Sequence, residues 1–403
     1  MNIIENVTII GAGASGLVSA ILLAKAGISV TLLEKNDKVG KKILSTGNGR
    51  CNLTNENLIP EKFHSNYKGD FFSPISKFNH IDTINFFSKL GIVPLIENKK
   101  VFPASEQASS ILDVLRIQLD ILGIKVITNT NVIDIKYKND YFTLFSETQI
   151  YKTKKVIIAT GGLAGVKEDY TIYKVIKKLG HKIEPLLPTL VHLKSTSPYC
   201  KMMQGIRIKA NVTIGKKSEY GEILFTEDGL SGPAIFNVSR TASVFNANSK
   251  KVILSLDLCK DMSVENIVNM IYERIEKNLH HTLEEMFLGW FNKKVAISII
   301  KASKIGKVTK KVNLLEYEEI EHLANTMKQF NFEISGTRSF KFAQATIGGV
   351  SLEDIYIETM ESKKIKGLFF TGEVIDVDGD CGGYNLQWAW STSVAVARSI
   401  KND

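Results

Sequence analysis

Residues 6–35 read NVTIIGAGASGLVSAILLAKAGISVTLLEK, and this segment carries the strongest fold signal in the chain. The apolar run Val7–Ile10 predicts a strand, the spacing of Ser15–Ala26 predicts an amphipathic helix, and Ser29–Leu33 predicts a second strand. The turn at residues 11–16 has the pattern GxGxxG directly after a strand and at the start of a helix. Glycines in that setting permit a tight turn, close approach of the backbone to a pyrophosphate, and close packing of helix on strand. The stretch therefore predicts a dinucleotide-binding βαβ unit.

An acidic residue and three further glycine-rich turns favour FAD as the dinucleotide. Glu34 ends the second strand eighteen residues past Gly16, where a carboxylate accepts hydrogen bonds from ribose hydroxyls. FAD and NAD share this pattern, but a long, extended cofactor needs close backbone approach at several points. The turns Lys41–Asn52, Thr160–Gly162 and Thr371–Glu373 offer such points. We therefore predict bound FAD.

The start of the last predicted helix suits a flavin ring. This helix follows Gly382-Gly383-Tyr384-Asn385, so its N-terminus could face the N1–C2=O edge of the flavin, where negative charge accumulates on reduction. The sequence has no second GxGxxG pattern, so we expect NAD(P)H to dock transiently as the reductant rather than to occupy a Rossmann domain of its own. A different reductant is the alternative.

Composition predicts a globular, cytoplasmic protein. Of the 403 residues, 44% are hydrophobic, which is enough for one large core or two. No basic cluster precedes the first apolar stretch, which argues against a signal or transit peptide, and glycines and serines interrupt that stretch, which argues against a membrane span. The four cysteines, Cys51, Cys200, Cys259 and Cys381, form no metal-ligand spacing, so we expect reduced thiols and no metal site.

Periodicity places further elements before residue 160. Helical spacing covers 82–90 and 109–122, and strand-like segments cover 132–137, 141–145 and 149–151. Asn139-Asp140 predicts a turn between the first two of those strands. A separate apolar strand, Val156–Ala159, runs into the glycine turn at Thr160.

The pattern changes after Pro185. Alternating stretches at Arg207–Ile214 and Val252–Leu258 predict an antiparallel barrel or sandwich, followed by a helical piece over 264–332. Near Ser335 the first pattern returns, with a strand at 367–370 and a last helix at 386–400. We therefore predict an α/β fold in which residues 1–188 and 337–403 form the FAD-binding domain and residues 189–336 form an insert.

Several segments together resemble the BaiN/RdsA family of NAD(P)/FAD-dependent flavoproteins. They are GAGASGL, KKILSTGNGRCNLTN, ATGG, GEILFTEDGLSGPAIFNVSR, TIGGV and TMESKKIKGLFFTGEVIDVDGDCGGYNLQWAW, and they cover nearly the whole chain in order. The resemblance implies a glutathione-reductase-like FAD-binding Rossmann domain with an inserted β-barrel plus helical domain. Thr346-Ile347-Gly348 departs from the family, which commonly has Val-Thr before its glycines.

The resemblance also implies a set of FAD contacts at the matching positions. These are Gly11, Gly13, Ser15, Gly16, Glu34, Lys35, Arg50, Asn52, Gly372, Glu373, Gly383 and Asn385. Ala14, Lys42, Val132, Thr160 and Gly161 complete the cofactor-binding candidates.

The activities implied by the resemblance are reduction of uridine to dihydrouridine in large-subunit ribosomal RNA and, in one branch, a reductive step in bile-acid breakdown. Two stretches that contain no acidic residue, 185–218 and 286–315, favour 23S ribosomal RNA as the partner. The RNA-binding candidates are Lys194, Lys201, Arg207, Lys209, Lys293, Lys294, Lys304, Lys307, Lys310 and Lys311. The alternative interpretation is a solvated, lysine-rich face in a chain of net charge +9.

Uridine reduction needs a hydride at one carbon of the 5,6 double bond and an acid that protonates the other. Cys51 and Cys381 stand beside the predicted flavin-facing turns and are the catalytic candidates, with simple packing against the cofactor as the alternative. His64, His80, His181 and His192 have no partner spacing and are interpreted as solvated or core residues.

Two other functions stay open on the sequence. One is a flavin-dependent reductase or oxidase of a small molecule, either steroid-like or an amine. The other is a flavin-carrying RNA-binding factor without turnover.

Overall fold

The structure is a computed structural model and describes residues 4–165 and 168–403. The strands, in chain order, are β1 (Ile4–Ile10), β2 (Val30–Leu33), β3 (Thr54–Asn55), β4 (Phe63–His64), β5 (Pro94–Glu97), β6 (Lys100–Pro103), β7 (Lys125–Ile127), β8 (Val132–Lys138), β9 (Tyr141–Ser146), β10 (Ile150–Ile158), β11 (Ile183–Thr189), β12 (Leu193–Ser195), β13 (Arg207–Ile214), β14 (Lys217–Thr226), β15 (Gly229–Ser231), β16 (Val252–Asp257), β17 (Phe330–Thr337), β18 (Ala345–Val350), β19 (Ile355–Tyr356), β20 (Glu361–Ser362), β21 (Leu368–Phe370) and β22 (Asp378–Gly379).

The helices, in chain order, are α1 (Ala14–Lys25), α2 (Ser73–Lys77), α3 (His80–Lys89), α4 (Ala108–Ile121), α5 (Thr171–Lys178), α6 (Pro198–Met202), α7 (Pro233–Ala247), α8 (Val264–Lys277), α9 (Leu283–Met286), α10 (Lys293–Ser303), α11 (Tyr317–Lys328) and α12 (Tyr384–Asn402). The chain divides into two compact units. One contains Met1–Pro188 and Ala343–Asp403, and the other is Thr189–Phe342.

The first unit is built on a nine-stranded sheet with a parallel centre. Its order is β19-β20-β21-β10-β1-β2-β7, and the β8–β9 hairpin joins it through β9, which pairs antiparallel with β10. The strands β21, β10, β1, β2 and β7 run parallel to one another. The strands β1 and β2 and the end of β10 are buried where they pair with one another, and α1 packs against β1 and β2. This architecture confirms the predicted α/β fold.

The second unit is a closed six-stranded barrel with helices. Neighbouring strands in the order β12-β15-β14-β13-β16-β17 are all antiparallel, and β17 returns to β12. One hydrophobic core fills this unit and includes Val212, Phe225, Leu254 and Phe332 from barrel strands and Ile235 from α7. The barrel-plus-helix insert is thereby confirmed, and the sandwich alternative is wrong.

Two of the expected elements are wrong in detail. Residues 149–151 and 156–159 do not form separate strands, since β10 runs without a break from Ile150 to Ile158. Its first residues pair with β9, its last three pair with β21, and β1 pairs with it from Lys152 to Ile158. Residues 330–332 are not helical but begin β17, whose alternating burial places Phe330 and Phe332 inside the barrel. Period-2 patterning over a few residues next to the helix α11 cannot be separated from helical spacing.

Among the helices of the described ranges, none combines the length and the apolar character needed to cross a lipid bilayer. In the same ranges, no three His, Cys, Asp or Glu side chains are grouped in a way that could hold a metal ion.

Candidate active site

Four sequence-predicted segments meet at one edge of the nine-stranded sheet. The parallel strands β1, β2, β10 and β21 end there, and each is followed by one of these segments. The backbone N–H groups of Gly11, Ala159 and Thr371 each donate to the last carbonyl of the neighbouring strand, at 2.8, 2.8 and 3.0 Å. Because ligands of open α/β sheets bind beyond the carboxyl ends of the strands, this edge is the candidate site.

The glycines of the first turn have different roles. A Cβ on Gly11, whose φ is +99°, would stand 2.6 Å from the Ala159 carbonyl oxygen, and a Cβ on Gly16 would stand 1.9 Å from the Gly11 carbonyl oxygen. Neighbouring backbone atoms therefore leave no room for a side chain at Gly11 or Gly16. A Cβ on Gly13 would meet nothing within 4 Å, and Gly13 caps α1 without a side-chain hydrogen bond. The first N–H groups of α1, which begin at Ala14, are therefore available to an anion at an open position.

Glu34 is buried and its carboxylate faces the same turn. One oxygen accepts a hydrogen bond from the Ala12 N–H at 2.8 Å, and the other accepts from the Asn36 N–H at 2.9 Å. Lys35 instead forms an exposed ion pair with Asp169 at 3.2 Å. The Glu34 carboxylate therefore lies at the candidate site, whereas the Lys35 ammonium group is held by Asp169.

The loop after Gly40 carries three candidate side chains. Lys42 Nζ lies 2.6 Å from Glu373 Oε2, which ties this loop to the turn after β21. Arg50 donates to Glu97 and Glu106 at 2.8 and 2.5 Å, so its guanidinium is neutralised within the chain. The Oδ1 atom of Asn52 is buried and has no hydrogen-bond partner among the described residues.

The turns after β10 and β21 complete the edge. Thr160 Oγ1 is a second buried oxygen without a partner in the described chain, and a Cβ on Gly161 would meet nothing within 4 Å. Gly372, with φ +75°, packs against Ser15, since a Cβ there would stand 2.7 Å from Ser15 Oγ. Its N–H donates to Thr392 Oγ1 of α12 at 3.0 Å.

The start of α12 lies beside the Asn52 segment. A Cβ on Gly383 would stand 2.7 Å from the Thr54 carbonyl oxygen and 2.9 Å from Asn52 Oδ1. Asn385 pairs with the backbone of Gly379 through both its amide oxygen and its amide nitrogen, at 2.9 and 2.8 Å. The Asn385 amide therefore holds the turn at Gly379 next to the start of α12.

Val132 and Thr346 lie at the margin of the site, and only Thr346 has a side chain that forms hydrogen bonds. Val132 is buried at the start of β8, two residues after Thr130, whose N–H donates to the Glu34 carbonyl at 2.8 Å. Thr346 uses its hydroxyl to accept from the N–H groups of Leu163 and Ala164, at 2.9 and 3.1 Å. The departure from the family pattern at this position thus supplies a structural hydroxyl.

The two candidate cysteines differ in access. Cys51 is fully buried, and burial raises the pKa of its thiol to about 11. Cys381 is partly exposed, and burial of its sulfur atom likewise raises the pKa of its thiol. Both thiols therefore hold their protons at neutral pH, and only Cys381 has a surface that a substrate could contact.

An acidic run that the sequence interpretation misses lies directly before Cys381. Asp376, Asp378 and Asp380 are all buried, and segment 62–66 supplies their described partners. Ser65 and the N–H and amide of Asn66 donate to Asp376, at 3.2, 2.9 and 3.1 Å. Burial nevertheless raises the pKa of Asp376 to about 6. The only signal in the sequence is acids at every second residue within an otherwise apolar stretch.

His64 is one of these partners and makes a specific contact that the sequence analysis does not predict. Its Nε2 lies 2.8 Å from Asp380 Oδ1, while Lys62 Nζ lies 3.0 Å from Asp380 Oδ2. The pair joins residues 316 positions apart, which local spacing cannot indicate. His181, by contrast, is a core residue held by the Ser362 hydroxyl at 2.7 Å.

The stretches 185–218 and 286–315 contain no acidic residue, but in the folded chain carboxylates from outside them contact several of their basic residues. Carboxylates from other segments pair with Lys201, Arg207, Lys293 and Lys310, at 3.5, 2.5, 2.6 and 2.5 Å. Lys311 donates to a backbone carbonyl. The remaining candidates are exposed and form no ion pair with any described residue: Lys194, Lys209, Lys294, Lys304 and Lys307.

Comparison with known proteins gives a consistent family and two different activities. The family described as HI0933-like protein Rossmann domain matches residues 5–399. The 3-dehydro-bile acid delta(4,6)-reductase of Clostridium scindens is 33% identical to this chain, over 98% of both chains. The ribosomal RNA dihydrouridine synthase of Haemophilus influenzae is 31% identical over 98% of both, and that of Escherichia coli is 29% identical over 97% of both.

Proposed function

The chain belongs to the HI0933-like Rossmann family of FAD-dependent oxidoreductases, and from this premise we propose that it reduces uridine to dihydrouridine in 23S ribosomal RNA with NAD(P)H as the electron source. The similar proteins carry two different substrate names, so the choice between an RNA and a small molecule rests on the residues of this chain.

The residues at the sheet edge fit FAD. The open position at Gly13 and the free first turn of α1 suit a pyrophosphate, and Glu34 suits a ribose. Thr160 Oγ1 and Asn52 Oδ1 are buried polar atoms without a hydrogen-bond partner in the described chain, and a polar ligand would supply one. Gly161 leaves open space for close approach. When bound, FAD supplies a hydride for an unsaturated carbon.

The chain itself must supply the proton and the orientation of the substrate. Hydride addition at one carbon of the uridine 5,6 double bond leaves negative charge that a proton at the other carbon neutralises. Cys51 has no exposed surface for such a transfer, so of the two cysteine candidates the geometry favours Cys381. Its raised pKa keeps the Cys381 thiol protonated at neutral pH but also makes it a weak acid.

The five unpaired lysines are the observation that carries the RNA proposal. Lys194, Lys209, Lys294, Lys304 and Lys307 all belong to the barrel unit, where their charges are not neutralised by described carboxylates. Unpaired surface cations bind phosphates by releasing counterions, which gives affinity without base specificity. A substrate as small and apolar as a steroid gives no reason for this excess.

An exposed aromatic ring in the same unit adds a site for a base. The Phe342 ring is 55% exposed, and the Arg338 guanidinium and the Lys341 ammonium lie 5.3 and 5.9 Å from its centroid. Aromatic rings beside cations stack unpaired bases in proteins that bind single-stranded nucleic acid. This combination supports an unpaired RNA segment as the ligand.

Anaerobic turnover with an unmodified 23S RNA transcript tests the proposal. Purified protein with FAD and NADPH should convert uridine to dihydrouridine, seen by mass spectrometry of the digested RNA as a gain of two hydrogen atoms. The Gly13→Val variant is the matched control and should leave the RNA unchanged. A wild-type protein that oxidises NADPH but leaves every uridine intact would contradict the RNA substrate.

Reduction of a steroid-like small molecule is the second candidate. It is supported by the 33% identity to a protein named as a bile-acid reductase. Salt separates the two candidates, because binding through unpaired lysines weakens as salt rises, whereas binding of an apolar ligand does not. Turnover of a 3-oxo-Δ4 steroid at a rate independent of salt, together with inactivity on RNA, would favour this candidate.

A further inference from the structure

Two short strands bring a histidine and a buried acid together next to the start of α12. The strands β4 and β22 pair antiparallel, with His64 opposite Asp378 and Phe63 opposite Gly379. The Asp380 N–H then donates to the Lys62 carbonyl at 2.9 Å. This register carries the Asp380 carboxylate under the side chains of residues 62 and 64.

The acid is buried and the histidine is not. The Asp380 side chain is 4% exposed, against 25% for His64 and 27% for Lys62. Asp380 Oδ2 contacts Lys62 Nζ and Asp380 Oδ1 contacts His64 Nε2, so the carboxylate holds the imidazole through Nε2. No described residue bonds Nδ1 of His64. The ring is therefore fixed at one nitrogen and available at the other, which is the arrangement of a positioned general acid.

The position of the pair connects it to the candidate active site. Asp380 is followed at once by Cys381, Gly382 and Gly383, and α12 begins at the next residue. On the other strand, the ring of Phe63 packs edge to face on that of Tyr384, the first residue of α12, at 5.5 Å. His64 thus lies on the segment that packs against the helix start predicted to face the flavin.

Imidazole is better suited to this proton transfer than a thiol. A general acid works best when its pKa lies near the operating pH, and histidine is the side chain that exchanges protons in the neutral range. Burial raises the pKa of the Cys381 thiol, which makes that group a weaker acid.

We propose that His64, held by Asp380, is the proton donor for reduction of the substrate double bond. This inference rests on the proposed function. With reduced FAD bound, one carbon of the double bond would receive a hydride, and His64 would give its Nδ1 proton to the other carbon, so that two new C–H bonds replace the π bond. The neutral imidazole then takes a proton from water.

Several titratable or charged groups face His64 and contribute to the pH dependence of substrate reduction. They are Lys62 on its own segment, Asp376, Asp378, Asp380 and Cys381 on the facing segment, Tyr384 at the start of α12, and Lys100 of β6 beside Gly382. A donor must be protonated to act, so the rate of substrate reduction should fall as pH rises. Replacement of His64 should remove that fall.

Separate measurement of the two half-reactions tests the role. In stopped flow, NADPH should bleach the flavin of His64→Gln as fast as that of the wild type. Reoxidation by a uridine-containing 23S RNA fragment should slow by about 100-fold or more and lose its pH dependence. His80→Gln is the matched control, since His80 is a partly exposed histidine at the start of α3, and it should behave as the wild type.

Chemical modification of His64 tests whether this side chain lies at the RNA-binding site, and it does not require catalytic turnover. Carbethoxylation of His64 by diethyl pyrocarbonate, followed by mass spectrometry of the peptide, should slow when the RNA fragment is bound, while modification of His80 should not change.

Each outcome is decisive. Reoxidation of His64→Gln at the wild-type rate, or loss of reoxidation in Cys381→Ala with His64→Gln unimpaired, would overturn the role of His64 and leave the proposed function intact. Failure of the RNA to reoxidise the wild-type flavin would overturn the proposed function, and the role of His64 with it.

Discussion

Glu373 forms a bridge to Lys42, with Lys42 Nζ 2.6 Å from Glu373 Oε2, and its other oxygen accepts from the Thr346 N–H at 2.9 Å. One carboxylate thereby joins the loop after Gly40, the turn after β21 and the strand β18. These three segments border the candidate FAD site, so their relative position depends on a carboxylate that the sequence analysis predicts as an FAD contact.

Glu373→Gln should weaken FAD binding by about tenfold, corresponding to roughly 1.4 kcal/mol, because the substitution removes a charge-assisted hydrogen bond while it keeps the side-chain volume. The dissociation constant can be measured by fluorescence quenching of added FAD. Glu358→Gln removes an exposed ion pair with Lys77 and serves as the control, for which we expect no change. Equal affinity in Glu373→Gln and the wild type would show that the bridge does not shape the site.

Gly13 and Gly16 should respond to substitution in opposite ways. Gly13→Val places its side chain in open space at a β-region backbone conformation, so the protein should fold and stay colourless. Gly16→Ala drives a Cβ into the Gly11 carbonyl and should destabilise the fold by about 3 kcal/mol. Thermal unfolding and the absorbance spectrum of each purified variant distinguish these outcomes. A stable, yellow Gly13→Val protein would refute the placement of the pyrophosphate.

Asp376 should make folding less favourable as pH rises. Burial raises its pKa to about 6 from the ordinary 3.8, so the folded state holds the proton more tightly than the unfolded state. Stability from this group is therefore complete below about pH 4 and disappears as pH passes through about 6. Between pH 4 and pH 7, the unfolding free energy of the wild type should fall by up to about 3 kcal/mol relative to Asp376→Asn. Denaturant titrations at both pH values check this, and a constant difference would contradict it.

The unpaired lysines should set the salt dependence of RNA binding. For Lys294→Gln with Lys307→Gln, the slope of log affinity against log salt should become shallower by about 0.7 for each phosphate of a single strand that the variant no longer neutralises. Arg207→Gln with Glu222→Gln removes an ion pair without changing net charge, and its slope should match the wild type. Filter binding over a series of salt concentrations gives the slopes. Identical slopes in all three proteins would exclude these lysines from the interface.

The sequence predicts well what is encoded locally. The turn at Gly11–Gly16 and the carboxylate of Glu34 follow from residue types at fixed spacing, and the strands beside them follow from apolar runs. Lys152, Lys154 and Lys155 interrupt the apolar pattern of β10, so the sequence predicts two strands there. The structure has one strand, whose first half lies outside the buried centre of the sheet and therefore tolerates lysines.

Contacts between distant segments are not predictable in this way. Lys42 meets Glu373 across 331 positions, and His64 meets Asp380 across 316. Both contacts form because the fold brings distant segments together, and residue spacing within one segment cannot predict that. The same limit applies to the basic stretches, since the acid that neutralises Lys310 is supplied by α11.

Uridine reduction by this protein can be tested in cells. The dihydrouridine content of 23S ribosomal RNA is measured by mass spectrometry in cells with and without the gene for this chain. We predict that dihydrouridine disappears from one position in the deletion strain, returns with the wild-type gene, and stays absent with Gly13→Val. An unchanged dihydrouridine content in the deletion strain would contradict the proposed function.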